Sequence, residues 1–545
     1  MNIDLLIQKL TLEEKAALLQ GWSTWTSREI RHLGIPAIFM SDGPTGLRKQ
    51  AGAGDHLGLN ESVPATCFPT AATMANSWDL ELGEQLGSAL GTEAAAEGVH
   101  VVLGPGLNMK RSPLCGRNFE YFSEDPYLAG KMAAAYVKGI QSKGPAACPK
   151  HFAVNSQELR RMAMDSLLDE RTLREIYLTG FEIAVQEGHA QTLMSSYNMV
   201  NGEYANENYH LLTEILRNEW GFDGYVVTDW GGDNDHTEGV RNGSNLVMPA
   251  PGPDCAIGLV ENVKNGKISE ENLDIRVKEL MKVVFERTEA VAASPNSFDA
   301  DAHHAIARKC AEGSIVLLDN DGILPLAPNE SVAVIGDFAE TPRYQGAGSS
   351  QVNPTRLDDL LSCAKAAGLN VREGGLFFLF SNLVTVIQYV IYAFLPEALG
   401  LELAGIQWSW PAIPVKLFGI DFTWNAIGYD VLYDAAGNVI IGGGVGYLIA
   451  MLVGSFLAQA INFPLQRNIT FRSNGNVWYQ MMWYFIAWVA ITFVVNSFNC
   501  VWLAVASQLL PGWLYNIGTT VLMGGISMIV FFFVFKIIFP EGKKA

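Results

Sequence analysis

The sequence is poor in the residues that most metal and disulfide chemistry requires. Its seven cysteines (Cys67, Cys115, Cys148, Cys255, Cys310, Cys363 and Cys500) are scattered, odd in number and form no CxxC pair. That spacing fits neither a zinc ribbon nor a disulfide framework, and it suits a reducing compartment. No HExxH, GxSxG or phosphate-loop lysine motif occurs, and Gly52-Ala-Gly54 reads as a flexible loop. No metal and no cofactor are therefore expected. Basic residues are scarce as well, 37 against 56 acids for a net charge of −19, which argues against a nucleic-acid partner. The N-terminus lacks a basic start, an apolar core and a small-residue cleavage site, so no secretory signal is expected. Thr11 and Glu14 instead have the spacing of a capping box that opens an amphipathic helix.

The overall composition hides two chains of different character. All nine histidines and 49 of the 56 acids precede residue 373, whereas the remainder holds seven acids, six Lys or Arg and eight of the thirteen tryptophans. A soluble acidic part is followed by a membrane-like part.

In the soluble part, short apolar runs alternate with stretches of helical periodicity. The runs are 35–40, 99–103, 145–148, 191–194, 224–227 and 245–248, and the helical stretches include 80–97, 170–187 and 210–219. Strands alternating with helices imply a parallel sheet covered on both faces. Some 250 residues of such a pattern fit a (β/α)8 barrel, with a doubly wound sheet as the alternative. The runs lead into Ser41–Arg48, Lys150–Phe152, Ser195–Asn198 and Thr228–Trp230, which carry acids, bases and aromatics. At the carboxyl ends of barrel strands these clusters would share one cleft. Its carboxylates (Asp42, Glu120, Asp229), cations (Arg48, Arg117, Lys150, His151, Arg161) and rings (Tyr197, Trp230) suit a neutral polyol such as a sugar. Sugar hydrolysis with retention needs a carboxylate nucleophile and a second, protonated carboxyl.

The stretches SDGPTGLR (41–48), GRNFEYFSEDP (116–126), KHFAVNSQELRRM (150–162), SSYNMVNG (195–202) and GFDGYVVTDW (221–230) occur in an order that resembles the β-glucosidase branch of glycoside hydrolase family 3. The resemblance covers roughly residues 5–355. It implies an α/β fold, a (β/α)8-like TIM barrel over 1–290 followed by an α/β sandwich, and retaining hydrolysis of terminal β-D-glucosyl residues from a β-glucoside or oligosaccharide. It further implies Asp229 as nucleophile and Asp42, Arg117, Lys150, His151, Arg161 and Tyr197 as holders of the terminal sugar, with Trp230 beside it. Lys150 and His151 are expected to donate to the sugar and to keep nearby carboxylates ionised. The sandwich begins with a helix at 302–313, a strand at 314–318 and another at 331–336, then the family-like RYQGAGSSQVNP (343–354). It is truncated, spanning only 300–372, and the portion that carries the family's general acid/base is missing from this reading.

Beyond residue 373 four apolar stretches, about 376–395, 440–461, 479–498 and 514–537, are long enough to span a bilayer. The tryptophans suit interfacial belts. Arg372, Arg467, Arg472, Lys543 and Lys544 place the basic loops, and hence both termini and the barrel, in the cytoplasm. The endings INFPLQRNITF (461–471) and FFFVFKIIFP (531–540) resemble the GtrA-like family of small four-helix membrane proteins, over about 375–540. That resemblance implies an all-α four-helix transmembrane domain. It also implies a membrane-lipid partner, including a polyprenyl-phosphate-linked sugar, which Asn462, Arg467 and Asn468 could meet. The expected protein is a membrane-anchored β-glucosidase-like enzyme. The alternative is a non-hydrolytic sugar-binding module attached to a membrane protein of polysaccharide synthesis.

Overall fold

The computed structural model describes residues 2–373 apart from 53, 55–59, 328, 335, 346–347 and 349–350, and most of 394–464 and 476–509. Contacts divide the chain into two units, one of residues 1–325 with 343–358 and another of 326–342 with 359–545.

The first unit is built on short parallel strands: β1 (Met40–Asp42), β2 (Val101–Leu103), β3 (Ala146–Ala147), β4 (Thr192–Met194) and β5 (Tyr225–Val227). β1 pairs with β2, β2 with β3 and β4 with β5, all in parallel. A parallel bridge between Phe152 and Ser195 joins β3 to β4, and Val227 bridges Leu246 beyond β5. Residues 20–26 close the ring, since Gln20 bridges Val247 and Thr26 bridges Phe39. Five of the six apolar runs of the soluble sequence coincide with these staves, whereas the run 35–40 meets β1 only at Met40. Alternate residues feed two separate cores, as the period of a strand dictates. Val102, Ala147, Leu193 and Val226 enter one, whereas Val101, Leu103, Ala146, Met194 and Val227 enter the other.

Helices α1 (Leu80–Ala96), α2 (Pro126–Gln141), α3 (Thr179–Gln186), α4 (His236–Asn242), α5 (Pro253–Lys264), α6 (Glu270–Ala292) and α7 (Ala300–Ser314) accompany the strands. Their starts follow from local chemistry: Asp79 accepts from the Leu82 amide ahead of α1, and Asp125 accepts from Leu128 ahead of α2, which has proline in its first turn. Near the N-terminus Thr11 and Glu14 form the expected capping box, with Glu14 N to Thr11 Oγ1 at 3.2 Å and Thr11 N to Glu14 Oε2 at 3.0 Å. α1 and α2 cross closely because glycine lines their contact. A Cβ on Gly87 would stand 2.5 Å from the Tyr136 carbonyl oxygen.

The strand expected at 314–318 is not one. α7 continues to Ser314, and Ile315 to Leu318 run on as exposed chain outside any strand, with Leu318 92% exposed. A strand holds its backbone groups only by pairing, and the described residues build no sheet edge beside this segment. The described sandwich residues give one parallel pair, Ser331–Val334 with Asn370–Glu373. The segment 343–358 instead returns to the barrel. Asn353 and Pro354 pair with Pro64 and Ala65, Thr355 N donates to the Ala65 carbonyl at 2.9 Å, and Val352 packs beneath Gly46.

In the second unit, residues 408–440, which lie between the first two apolar stretches, form antiparallel ribbons: Trp408–Trp410 with Ile427–Tyr429, Ile413–Leu417 with Ile420–Trp424, and Leu432–Tyr433 with Val439–Ile440. Two helices follow, α8 (Gly444–Pro464) and α9 (Val477–Leu509). Gly444–Pro464 and Val477–Val494 are long and apolar enough to cross a membrane. They correspond to two of the four stretches expected to span, and the other two, 376–395 and 514–537, lie almost wholly outside the described residues. Tyr484 of α9 donates to Gln459 Oε1 of α8 at 2.6 Å, and Asn462 Nδ2 donates to Tyr484 Oη at 3.0 Å. Arg467 Nε donates to Gln480 Oε1 at 2.9 Å. Asn468 lies outside the described residues.

Candidate active site

The carboxyl ends of the strands open into a cavity of about 740 Å³, within the usual range for a small-molecule site. Every residue that sequence reasoning placed around the sugar lines it: Asp42, Arg117, Lys150, His151, Arg161, Tyr197, Asp229 and Trp230. Asp42 ends β1, Lys150 and His151 follow β3, Tyr197 follows β4, and Asp229 and Trp230 follow β5. The long loop after β2 brings Arg117 and Glu120.

Charge in the cavity is arranged as a buried lattice. Arg117 grips Glu120 with two bonds, Nε to Oε2 at 2.9 Å and Nη2 to Oε1 at 3.0 Å. Lys150 Nζ stands 3.4 Å from Glu120 Oε1 and 3.3 Å from Asp42 Oδ1, while Arg48 Nη1 reaches Asp42 Oδ2 at 3.3 Å. Burial alone would push the Glu120 carboxyl up, but Arg117 and Lys150 reverse this and hold it below the usual range. Burial alone would likewise lower Lys150, and Asp42 and Glu120 hold it above its ordinary value. Arg117, Glu120 and Lys150 are therefore ionised at neutral pH.

His151 behaves differently from expectation. Arg117 Nη2 lies 2.9 Å from His151 Nε2. A guanidinium only donates, so Nε2 accepts and the ring proton sits on Nδ1, facing Tyr121 Oη at 3.3 Å and Asn108 Oδ1 at 3.4 Å. Burial, then Arg117, Lys150 and Arg161, push its pKa well below the ordinary value. His151 is thus a neutral acceptor, and it adds no positive charge to keep Asp229 ionised, although its Nε2 is 3.6 Å from Asp229 Oδ2. Asn108 holds the His151 backbone from both sides, accepting from its N–H at 2.6 Å and donating to its carbonyl at 2.8 Å.

Asp229 is oriented by the Trp230 amide, which donates to Oδ1 at 2.8 Å. Burial raises its pKa, opposed by Arg117, Lys150, the Trp230 amide and Arg161. An elevated carboxylate beside cations is more basic than a free one, and so a better electron-pair donor once ionised. Trp230 is fixed by Nε1 to the Thr24 carbonyl at 2.8 Å and leans on Trp25 with ring centroids 5.1 Å apart. Tyr197 donates to the Trp230 carbonyl at 2.8 Å, and Arg161 lies over the Tyr197 ring while paired to Glu158 at 2.9 Å. Further wall residues not singled out from sequence include Phe119, Trp25, Glu158, Arg343 and Gln345. The last two arrive on the 343–358 segment, and their only sequence signal was the RYQGAGSSQVNP stretch.

Comparison with known proteins accounts for this arrangement. Residues 23–283 match the glycosyl hydrolase family 3 N terminal domain and 315–457 the family's C-terminal domain. Thermostable beta-glucosidase B of Acetivibrio thermocellus is 52% identical over 369 residues, covering 68% of this chain and 49% of that protein. An exo-alpha-(1->6)-L-arabinopyranosidase of Bifidobacterium longum is 44% identical over 374 residues, 67% of this chain and 49% of its own length. Beta-glucosidase 3B of Thermotoga neapolitana, solved with alpha-D-glucose, superposes with a TM-score of 0.64 at 37% identity, covering 68% of this chain and 55% of that one. The chain spans about half the length of the curated relatives it matches. With N- and C-terminal domain models matched in order and relatives of this similarity, residues 23–283 and 315–457 belong to glycosyl hydrolase family 3.

Proposed function

We propose that the chain is a retaining glycosidase of β-glucosidase type, with Asp229 as nucleophile. The observation that carries this reading is Asp229 at the end of β5, facing the cavity among Arg117, Lys150, His151 and Arg161. Asp42, Lys150, Arg117 and Arg161 would hold the hydroxyls of one terminal pyranose, and Trp230 and Tyr197 would bound it, with His151 beside them in the wall. The names of the relatives support a pyranoside substrate, and they differ in the sugar removed. Attack of Asp229 on the anomeric carbon would form a glycosyl ester that water then hydrolyses. An activated aryl β-glucoside needs little acid assistance. Incubated with it, the chain should release aglycone and carry a glycosyl adduct on Asp229, read by peptide mass spectrometry. No adduct, with turnover unchanged in Asp229→Ala, would refute the proposal.

One observation favours the second reading, a sugar-binding module without hydrolysis. Among the described cavity residues each other carboxyl is paired: Asp42 with Arg48 and Lys150, Glu120 with Arg117 and Lys150, and Glu158 with Arg161. Ion pairing favours the ionised form of a carboxyl over the acid that leaving-group assistance needs. Glucose binding by calorimetry without aryl-glucoside turnover would select this reading. The proposal extends to the second unit. α8 and α9 would lie in a membrane as part of a GtrA-like four-helix domain, with Asn462 and Arg467 near a lipid phosphate and the barrel on the cytoplasmic side. The apolar length of the two helices and the basic residues flanking the apolar stretches support that placement. Protease protection in sealed vesicles tests it.

A further inference from the structure

Just beyond the nucleophile, three side chains with metal-ligating atoms converge, although nothing in their sequence spacing marks them. Asp233 lies on the loop that follows Trp230, His236 opens α4, and Cys255 lies in the first turn of α5. One ligating atom from each falls within 4.8 Å of the others. A tetrahedral ion bound at ~2.0–2.3 Å holds its ligand atoms ~3.3–3.8 Å apart, a spacing that His236 Nδ1 and Asp233 Oδ1 already have at 3.8 Å. His236 is the decisive member. Its side chain is 9% exposed, Nδ1 is 3.8 Å from Asp233 Oδ1, and the Cys255 thiol also lies beside the ring.

The surroundings complete a site. Asn206 Nδ2 donates to Asp233 Oδ1 at 3.4 Å, while its Oδ1 accepts from Ser195 and Ser244 and so fixes the amide's orientation. Asp235 is occupied elsewhere, capping α4 through the Glu238 amide, and Glu207 accepts from the Asp235 N–H. Asp233 and Cys255 are only half-buried, which gives an ion a way in. Nitrogen, thiolate and carboxylate together select a borderline ion over calcium or magnesium.

The geometry points to a Zn²⁺ site formed by Asp233, His236 and Cys255, with water in the fourth position, pinning the loop that carries Asp229 and Trp230 to the start of α5. On binding, the Cys255 thiol and the ligating nitrogen of His236 give up their protons to solvent and Zn–S and Zn–N bonds form, with no change in oxidation state. The site is independent of the glycosidase proposal, because it is read by metal binding alone.

The test uses the purified full chain, stripped with chelator and titrated with Zn²⁺ alone, then with Co²⁺ as a spectroscopic probe. We expect one equivalent of Zn²⁺, a thiolate-to-cobalt charge-transfer band, and loss of that band in Cys255→Ser. His236→Gln should weaken Zn²⁺ binding by about 10–100-fold, and Cys363→Ser should leave it unchanged. In the unmutated chain Zn²⁺ should also shield Cys255 from alkylation, mapped by mass spectrometry, which gives an answer should a variant fail to fold. Less than one equivalent bound, binding indifferent to Cys255→Ser and His236→Gln, or no shielding of Cys255 would each overturn the proposal.

Discussion

Replacing Glu120 by glutamine should destabilise the barrel severely, and the structure fixes how much. The Glu120 side chain is 1% exposed, with Lys150 at 2% and Arg117 at 15%. The substituted amide keeps the shape but removes the charge that both cations share. Breaking a buried pair by removing one partner costs about 3–5 kcal/mol, because the remaining charge stays desolvated. The first unit has roughly 340 residues, and at about 2.1 cal/mol/K of unfolding entropy per residue that cost lowers Tm by roughly 4–7 °C. Scanning calorimetry of the full chain reads it directly. A double replacement, Glu120→Leu with Lys150→Met, should recover part of the loss, since apolar pairs of like volume often match a buried ion pair. On the proposed function it should not recover glucose binding, for which the Lys150 ammonium would be required. A Tm change under about 1 °C in Glu120→Gln, well below that range, would show that the lattice is hydrated and that its energetics have been misread.

Four other outcomes follow. Asp229→Asn should abolish aryl-glucoside turnover while leaving the protein at least as stable at pH 7. A carboxyl whose folded pKa is raised loses stability as pH rises through that value, and the amide escapes this loss. His151 has a folded pKa depressed below its ordinary 6.5. Its contribution is present above pH 6.5 and is lost as pH falls toward the folded value, so the acid limb of a Tm–pH profile should flatten in His151→Asn. Tyr484→Phe removes the hydroxyl that links α8 to α9 and should cost about 1 kcal/mol in detergent denaturation. Gly87→Val drives a branched side chain into the Tyr136 carbonyl and should cost about 1–3 kcal/mol or prevent folding, read as loss of soluble expression.

The barrel was legible because its strands are buried on both faces. Runs such as 99–103 and 224–227 stand out as apolar, and β2 and β5 lie within them. The Thr11–Glu14 cap was legible because both halves of its chemistry sit within one helical turn. The cavity residues were legible through motif stretches, and their shared position follows from the strand ends. What sequence could not supply is whatever depends on distant partners. Asn108 reads as an ordinary loop residue until His151, far along the chain, closes on it. The protonation of His151 turned on a single contact, from Arg117 Nη2, that no spacing encodes. The run at 314–318 has strand composition, but composition does not provide the neighbouring strand, and the chain stays exposed. The ribbons of 408–440 were missed because their short strands alternate weakly and lie amid tryptophans read as interfacial anchors.

The return of 343–358 to the barrel bears on how this protein can be taken apart. The chain leaves the first unit at Pro325 and comes back at Arg343, so the cavity is closed by a segment its own linear order has already passed. A version cut at 325 would contain every barrel strand and Asp229, yet would lose Arg343 and Gln345 from the wall, strip Val352 from Gly46 and leave Pro64 and Ala65 without a pairing edge. The smallest piece expected to keep a whole pocket therefore ends no earlier than residue 358. Any dissection of catalysis from the apolar half has to carry the detour with it.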